Sequence, residues 1–382
     1  MTPSRLLPAS VLACVFAVTL PVHAEPDFTA LTTLAQGAIS GATLTTPLSG
    51  FEVLVLQNGV PIYNQAFGSW TRGQRGNVDS ATKTMTGAPL MALTEGSSGL
   101  TLDSKLSTYL PSLSTPVKST ITVRQAFTHL AGFPASGSTN ALTDPNISLQ
   151  TSASRIAGLG LLFTPGTRFS YGGEGMQLAG AAMEVAAGKP FADMFRDLIT
   201  APLHLNDTSF VLASATNPRV AGGLESTVND YGRFMDVLLN GGVDRATGTR
   251  VLTSASVAEM MRNQVDASVP IRISPTRNTR YGIGIWLDQL GNFGPTVDAL
   301  AVGARGWNSW IDEAQGLVFV FGTDRMALGG DLGDVLNLSS QMHAAIRSAV
   351  PEPESWALLS LGLLAVAAGA TRRRAAVQTL AA

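Results

Sequence analysis

Two β-rich runs near the start of the chain flank a tight-turn signal. Residues 51–57 and 60–67 are rich in β-branched and aromatic side chains, and Asn58-Gly59 lies between them. Asn-Gly favours the two-residue turns of hairpins because both residues tolerate a positive φ. The pattern therefore predicts a β-hairpin over residues 51–67.

The middle of the chain is predicted to be helical. Apolar side chains recur every three or four positions through residues 176–185 and 234–239, which is the spacing of one helix face. Strand patterns return at residues 281–286 and 317–321, and a final helix is predicted over residues 335–349. Strands at both ends around a helical middle predict one sheet assembled from both chain ends, with a cleft between the sheet and a helical lobe.

The composition predicts a folded protein. Hydrophobic residues make up 45% of the chain and charged residues 14%, as in globular domains and unlike disordered chains. Residues 25–349 are even in composition, without repeats or a charged linker, and are predicted to form one domain whose helical lobe covers about residues 80–275. A formal net charge of −2 offers no general attraction to nucleic acid, so no nucleic-acid partner is predicted.

The first 24 residues are predicted to be a secretory signal peptide. Arg5 gives a positive start, residues 11–20 are apolar, and Val22-His23-Ala24 resembles a small-residue cleavage site. An alternative is lipid attachment at Cys14, but cleavage there would leave half of the apolar run on the product. The protein is therefore expected to be exported.

Residues 350–374 are predicted to be a C-terminal sorting or anchor segment, followed by a short tail over residues 375–382. Pro351-Glu352-Pro353 precedes an apolar run over residues 356–370 and then three arginines. The apolar run is shorter than the roughly 20 residues of a typical membrane helix, and the arginines favour the cytoplasmic side. The segment resembles the PEP-CTERM sorting signal of Gram-negative bacteria, which implies an exosortase-type partner and a membrane contact before processing. A plain C-terminal anchor is the alternative.

The sequence lacks the residue patterns of most common catalytic and cofactor-binding sites. The four histidines are scattered without ligand spacing, and the single cysteine lies in the predicted signal peptide. The sequence motifs of zinc peptidases, phosphate-binding loops, dinucleotide folds and G-x-S-x-G hydrolases are missing. We therefore expect neither a metal nor a cofactor.

Ser80-Ala81-Thr82-Lys83 is the strongest candidate for chemistry. Residues three apart share a helix face, so the Ser80 hydroxyl and the Lys83 amine would project together. A lysine can deprotonate a serine if burial lowers its pKa from about 10.4 towards neutrality. The spacing also occurs by chance, and a solvated Ser-Lys pair on a surface helix is the alternative.

The surrounding motifs, in their order, resemble those of the serine β-lactamase and penicillin-binding-protein superfamily. The resemblance is to the class C β-lactamase-related branch, which includes esterases and D-amino peptidases. The matching segments after Ser80–Lys83 are Leu102-Asp103, Tyr109-Leu110-Pro111, residues 122–133, 165–171, 201–208, 222–231 and 281–286. The resemblance implies an α+β fold of the β-lactamase/transpeptidase type, in which an antiparallel sheet packs against a helical subdomain.

The resemblance also implies roles for three residues. Ser80 matches the acylated nucleophile, and Lys83 matches the lysine that helps to deprotonate it. Tyr171 matches the tyrosine of a Tyr-x-Asn motif, which acts as a phenolate-like base if a nearby cation lowers its pKa. A tyrosine packed only for structure is the alternative at this position.

The chain departs from the family at the strand expected to face the nucleophile. The motif Lys/His-Thr/Ser-Gly is matched best by Ala301-Val302-Gly303. Gly303 is kept, and the next backbone N–H, from Ala304, is expected to complete an oxyanion hole with that of Ser80. The cationic side chain is lost, so a substrate without a carboxylate is favoured, unless Arg305 replaces the charge. Arg305 as an ordinary loop residue is equally compatible with the sequence.

Two further positions are candidates for substrate binding. Gly173 stands where the Tyr-x-Asn motif has asparagine, and Trp307 could line an apolar acyl pocket or simply pack in the core.

The sequence therefore predicts an exported serine hydrolase that forms an acyl-enzyme with an ester or amide. The expected activity is that of an esterase, a D-amino peptidase or a weak β-lactamase, with a small-molecule or peptide substrate. Its expected location is the periplasm or cell envelope, and then the cell surface or extracellular matrix. The alternative is a catalytically silent binding protein that keeps the same fold.

Overall fold

The computed structural model describes residues 25–135, 139–275, 280–287, 298–324 and 330–350. The predicted signal peptide, the sorting segment beyond Val350 and the short tail lie outside these residues. Within these ranges, no helix has the length and apolar character needed to cross a membrane.

Helices alternate with short strands between the two strand-rich ends. The α-helices are α1 Thr29–Ser40, α2 Thr82–Glu95, α3 Val123–Phe127, α4 Leu149–Ala157, α5 Glu174–Ala187, α6 Phe191–Phe195, α7 Val228–Leu239, α8 Ser254–Met260 and α9 Gly330–Ala349. Short 3₁₀ turns cover Asp79–Ala81, Leu106–Thr108, Pro111–Leu113 and Lys118–Thr120, and a π-helical turn covers Arg196–Thr200. The strands are β1 Gly50–Gln57, β2 Val60–Gly68, β3 Gly76–Asn77, β4 Phe169–Ser170, β5 Ser209–Phe210, β6 Leu224–Ser226, β7 Ile271–Ile273, β8 Ala299–Val302, β9 Asn308–Asp312 and β10 Leu317–Gly322.

The main sheet joins the two ends of the body, as the sequence predicts. Its five strands lie in the order β2-β1-β10-β9-β8, and every neighbouring pair is antiparallel. The predicted hairpin forms β1 and β2, and its turn residues Asn58 and Gly59 have φ values of 49° and 80°. These positive angles explain why an Asn-Gly pair is used here.

Both faces of β1 are covered. In β1, Phe51, Val53 and Val55 pack in a core that includes α1 and α9, whereas Leu54 and Leu56 pack in the larger core of the helical lobe. Alternate side chains of a strand point to opposite faces, so a strand buried on both faces reads as a continuous apolar run. The sheet therefore separates a small helical layer from the lobe that carries most of the helices.

Two of the predicted elements have different bounds in the structure. The predicted helices at residues 176–185 and 234–239 lie within α5 and α7, and the final helix begins at Gly330, before the predicted start. Residues 281–286 form no strand but a tight turn closed by an isolated bridge between Tyr281 and Trp286. Gly284 in this turn has a φ of 78°, and a Cβ there would overlap the carbonyl oxygen of Lys83. The glycine-rich turn thus packs directly against the first turn of α2, which a regular strand could not do.

Candidate active site

Ser80 lies in the 3₁₀ turn that leads into α2. The turn spans Asp79–Ala81, and Ala81 N–H donates to Val78 O at 3.0 Å. Asp79 has a φ of 44°, a conformation that non-glycine residues rarely adopt and that often marks a functional turn. The turn leaves Ser80 half-buried at the start of the helical segment, where backbone N–H groups favour developing negative charge.

The predicted pair of Ser80 and Lys83 is formed in the structure. Lys83 Nζ donates to Ser80 Oγ at 3.0 Å and to the Ala221 carbonyl oxygen at 2.7 Å. The Lys83 side chain is 3% exposed, so the alternative of a solvated surface pair is wrong. The second contact fixes the amine at the hydroxyl and leaves it little freedom to turn away.

The environment of Lys83 favours its neutral form. Burial, assisted by repulsion from the Arg219 guanidinium, lowers the pKa of Lys83 to about 7, and the carboxyls of Asp79 and Glu174 oppose this shift. A buried ammonium loses its hydration, which raises the cost of the charged form. A large fraction of Lys83 is therefore able to accept a proton at neutral pH.

Tyr171 joins this pair from a distant part of the chain. It follows β4 directly, and its ring centroid lies 4.7 Å from Lys83 Nζ. Burial raises the pKa of the Tyr171 phenol, and a side-chain interaction with Ser80 opposes that shift. The three residues that the family resemblance selected are thus brought together.

An aromatic cluster holds Tyr171 in place. The Tyr171 ring stacks on Trp286 with centroids 5.5 Å apart and an interplanar angle of 19°. The ring of His129 lies 4.4 Å from that of Tyr171, and Gly172 N–H donates to His129 Nδ1 at 3.4 Å. Burial lowers the pKa of His129 well below its usual value, so this histidine packs as a neutral ring.

The net shift of the Tyr171 pKa is opposite to the fall that a phenolate base requires. Burial raises the pKa of Tyr171 above its ordinary value, and the opposing effects of Ser80 and Arg219 are smaller. Lys83 lies over the face of the ring and carries only part of its charge at neutral pH, so it does not stabilise a phenolate strongly. At neutral pH Tyr171 is consequently a neutral phenol, whereas Lys83 is partly deprotonated.

Gly303 and Ala304 lie against the turn that carries the nucleophile. A Cβ on Gly303 would overlap the Val78 carbonyl oxygen, so glycine is required for β8 to end this close to Ser80. Gly303 N–H donates to Trp307 O at 2.7 Å, whereas the exposed Ala304 N–H has no acceptor among the described residues. Of these two backbone donors, Ala304 is the one able to bind a substrate oxygen.

Arg305 neither replaces the missing strand cation nor behaves as an ordinary loop residue. Its backbone N–H and its guanidinium both donate to the Asp79 carboxylate, at 3.0 and 2.7 Å, and Nε lies 3.1 Å from Asp324. Two carboxylates therefore balance this one cation. Burial raises the pKa of Asp79, and Arg305 opposes that shift, so the pair fixes the strained residue immediately before Ser80.

The two remaining candidates are not placed to contact a substrate. Trp307 is fully buried in the core of the helical lobe, where its ring packs edge-on against Tyr231 at 5.7 Å. Gly173 is buried and donates its N–H to the Glu174 carboxylate at 3.1 Å. The side chain of Trp307 thus contributes to the stability of the core. At Gly173, where the family has asparagine, the backbone N–H is already bound to Glu174.

Replacing Trp307 by alanine is expected to lower the free energy of unfolding by about 3–5 kcal/mol, since a large buried ring leaves a cavity. Chemical denaturation of the purified domain measures this change. Trp307→Phe should cost less, and Val60→Ala, at a position 61% exposed, should stay within about 0.5 kcal/mol of the parent. A loss for Trp307→Ala no larger than that for Val60→Ala would contradict the core assignment.

Two charged residues of the site were not selected from the sequence. Arg219 precedes the Gly222-Gly223 motif by three residues, and Glu174 follows the altered Tyr-x-Asn position. Burial raises the pKa of Glu174, and its Oε1 is buried without a hydrogen-bond partner in the described parts of the chain. No local pattern distinguishes either residue, because their approach to Lys83 depends on tertiary packing.

Comparison with known families agrees with this geometry. The model of the Beta-lactamase family matches residues 33–335, and the chain belongs to this family. A second model, the PEP-CTERM protein-sorting motif, matches residues 349–374. That motif points to recognition by exosortase-type machinery and to export towards the cell envelope. The family resemblance drawn from the sequence motifs and the β-lactamase/transpeptidase-like fold are both confirmed.

Solved structures share the fold over most of the chain. A protein of Bacteroides dorei assigned as a β-lactamase is 26% identical with a TM-score of 0.71, covering 84% of this chain and 99% of its own. The D-amino acid amidase of Ochrobactrum anthropi SV3 is 19% identical with a TM-score of 0.65, covering 84% and 99%. A family VIII carboxylesterase is 19% identical with a TM-score of 0.67, covering 84% and 97%.

Proposed function

We propose that the protein is an exported serine hydrolase that cleaves an ester or amide through an acyl-enzyme at Ser80. The observation that carries the proposal is the 3.0 Å contact between Lys83 Nζ and Ser80 Oγ, made by an amine with a pKa of about 7. Serine is a weak nucleophile at its own pKa and needs an adjacent base. Lys83 is such a base in its neutral form.

The proposed reaction has two steps, acylation of Ser80 and hydrolysis of the acyl-enzyme. Lys83 takes the Ser80 proton as Oγ attacks the carbonyl carbon, and the same proton then passes to the departing alcohol or amine. Water subsequently attacks the acyl-enzyme, the acid leaves and the proton returns to Ser80. Ala304 N–H, with that of Ser80, is proposed to bind the carbonyl oxygen as it becomes negative.

Tyr171 is proposed to act as a neutral hydrogen-bond donor. Its phenol interacts with Ser80 and stays protonated because burial raises its pKa. A neutral phenol can hold the serine hydroxyl in position and then donate a hydrogen bond to the leaving group, which takes its proton from Lys83. We therefore propose Lys83 as the general base, in place of Tyr171, for which the sequence motif implied that role.

The type of activity is proposed from the family branch, and the route of export from the two terminal segments. The class C β-lactamase-related branch supports an esterase, a D-amino peptidase or a weak β-lactamase. Residues 1–24 as a signal peptide and residues 350–374 as a sorting segment support passage through the periplasm to the cell surface or matrix.

Covalent labelling tests the proposal. The parent protein, incubated with a fluorophosphonate or a fluorescent penicillin, is expected to carry the adduct on the peptide that contains Ser80, because both probes trap an activated serine. Tryptic peptide mapping by mass spectrometry locates the adduct. Adducts found only on other serines, or none with either probe, would instead favour the silent binding protein.

A further inference from the structure

Arg219 lies beside the backbone that carries the nucleophile. It stands between β5 and β6, and its carbonyl oxygen accepts from Gly222 N–H at 3.0 Å. A Cβ placed on Gly222 would lie 3.5 Å from Arg219 Nε, 3.6 Å from Cζ and 3.6 Å from the Asp79 carbonyl oxygen. The guanidinium therefore lies against Gly222, whose other close neighbour is the carbonyl oxygen of the residue immediately before Ser80.

Among the described residues this guanidinium has no anionic partner. Arg219 forms no ion pair within 4.0 Å in the described parts of the chain, and its Nε is buried without a hydrogen-bond acceptor. Leaving a buried donor unpaired costs free energy, and the cost is larger for a charged group. Arg305 differs, because Asp79 and Asp324 already balance its charge.

The carboxyls of the site do not supply the missing anion. Asp79 is bound to Arg305, and Glu174 Oε2 accepts from the backbone N–H of Gly173. Arg219 nevertheless acts on the whole site, because its charge lowers the pKa values of Lys83, Asp79, Tyr171 and Glu174. A cation that reaches every ionisable group of the site, and is paired with none of them, favours an incoming negative charge.

We propose that Arg219 is a specificity-determining residue that binds a carboxylate on the substrate acylated at Ser80. The inference rests on the proposed function and names its substrate class: esters or amides that carry a carboxylate apart from the reacting carbonyl. A guanidinium matches a carboxylate with two parallel hydrogen bonds. Because Ala301 stands where the family strand has a cation, the sequence favoured substrates without a carboxylate. Arg219, which lies outside that strand, supplies a cation to the site, and a substrate with a carboxylate is therefore favoured instead.

Matched pairs of substrates test the assignment. The first pair is the p-nitrophenyl ester of succinate, with its free carboxylate, and the same ester of monomethyl succinate, which is neutral. The second pair places the charge on the leaving group: the acetyl thioesters of thioglycolate and of thioglycolamide. The measured quantity is the ratio of kcat/KM for the anionic substrate to that for the neutral one.

Arg219→Gln is expected to lower this ratio by about ten- to a hundredfold for at least one pair, which is the range for losing a hydrogen bond to a charged group. Arg219→Lys should recover part of the loss, because it keeps the charge without the planar fork. Arg72→Gln, at an exposed arginine outside this cluster, should leave both ratios unchanged. Using the ratio removes any equal effect on both substrates that follows from the altered pKa of Lys83.

Unchanged ratios for both pairs in Arg219→Gln, with turnover that still depends on Ser80, would overturn the inference alone. Failure of the proposed function looks different: neither pair would show Ser80-dependent turnover in the parent. Calorimetric binding of glutarate monoamide to the Ser80→Ala protein then tests Arg219 without any reaction. Binding that Arg219→Gln weakens supports the site, whereas no binding, or equal affinity in both proteins, overturns it.

Discussion

Ser80→Ala is expected to lower kcat/KM for p-nitrophenyl esters by at least about 10⁴-fold, the scale of loss when the nucleophile of a serine hydrolase is removed. Ser80 Oγ accepts from the Lys83 amine at 3.0 Å, and no other hydroxyl in the described residues has that partner. Alanine leaves the amine and the turn in place but removes the atom that forms the acyl bond. Steady-state hydrolysis monitored at several ester concentrations measures the effect.

The control for this experiment is Ser97→Ala, at an exposed serine beyond the end of α2, which should hydrolyse the esters at the parental rate. Ser80→Ala should also unfold at the same denaturant concentration as the parent, because the side chain of Ser80 is small and only half-buried. Ser80→Ala hydrolysing esters as fast as Ser97→Ala would exclude the acyl-enzyme mechanism.

Lys83→Met is expected to lower kcat/KM by about 10²–10⁴-fold, the usual contribution of a positioned general base. Methionine keeps much of the buried length of the side chain and removes the amine. The two hydrogen bonds to Ser80 Oγ and Ala221 O are lost, so the hydroxyl has no base. Comparison of ester hydrolysis by the two proteins at one pH above neutrality gives the size of the loss.

The pH dependence adds a readout that misfolding would not reproduce. Only neutral Lys83 can accept the proton, and its pKa is lowered to about 7. The kcat/KM of the parent should therefore rise as the pH increases through about 7 and flatten above it. Lys83→Met should lack this rise. Arg219→Gln should move the rise to higher pH, because the charge of Arg219 helps to lower the pKa of Lys83. A rise near pH 7 that persists in Lys83→Met would assign the base to another residue.

Local patterns were enough to predict the hairpin and the Ser-Lys pair. Asn58-Gly59 fixes its turn through its own backbone angles, and Ser80 and Lys83 need only one turn of helix to meet. The joining of both chain ends in one sheet was predicted because strands need partners and the middle of the chain offered mostly helices. Tyr171 was found only through the order of family motifs.

The remaining features of the site depend on packing between distant segments. The sequence left open whether Trp307 lines a pocket or packs in the core, and its contact with Tyr231 places it in the core. It also left open whether Arg305 replaces the strand cation or is an ordinary loop residue, and the ion pairs with Asp79 and Asp324 exclude both. The charge state of Tyr171 is set by how deeply it is buried, which no sequence pattern records. Arg219 has no motif of its own, and only the course of the backbone over Gly222 brings it to the nucleophile.

The pairing of β1 with β10 has a consequence for how an exported chain matures. The paired residues of these strands lie 260 to 270 positions apart, from Gln57 with Leu317 to Glu52 with Gly322, and such non-local pairing slows folding because a long loop must close first. β1 stays without its second neighbour until β10, near the end of the body, has been synthesised. In this topology the main sheet is completed only once β10 is available, so the body of the protein closes late in synthesis.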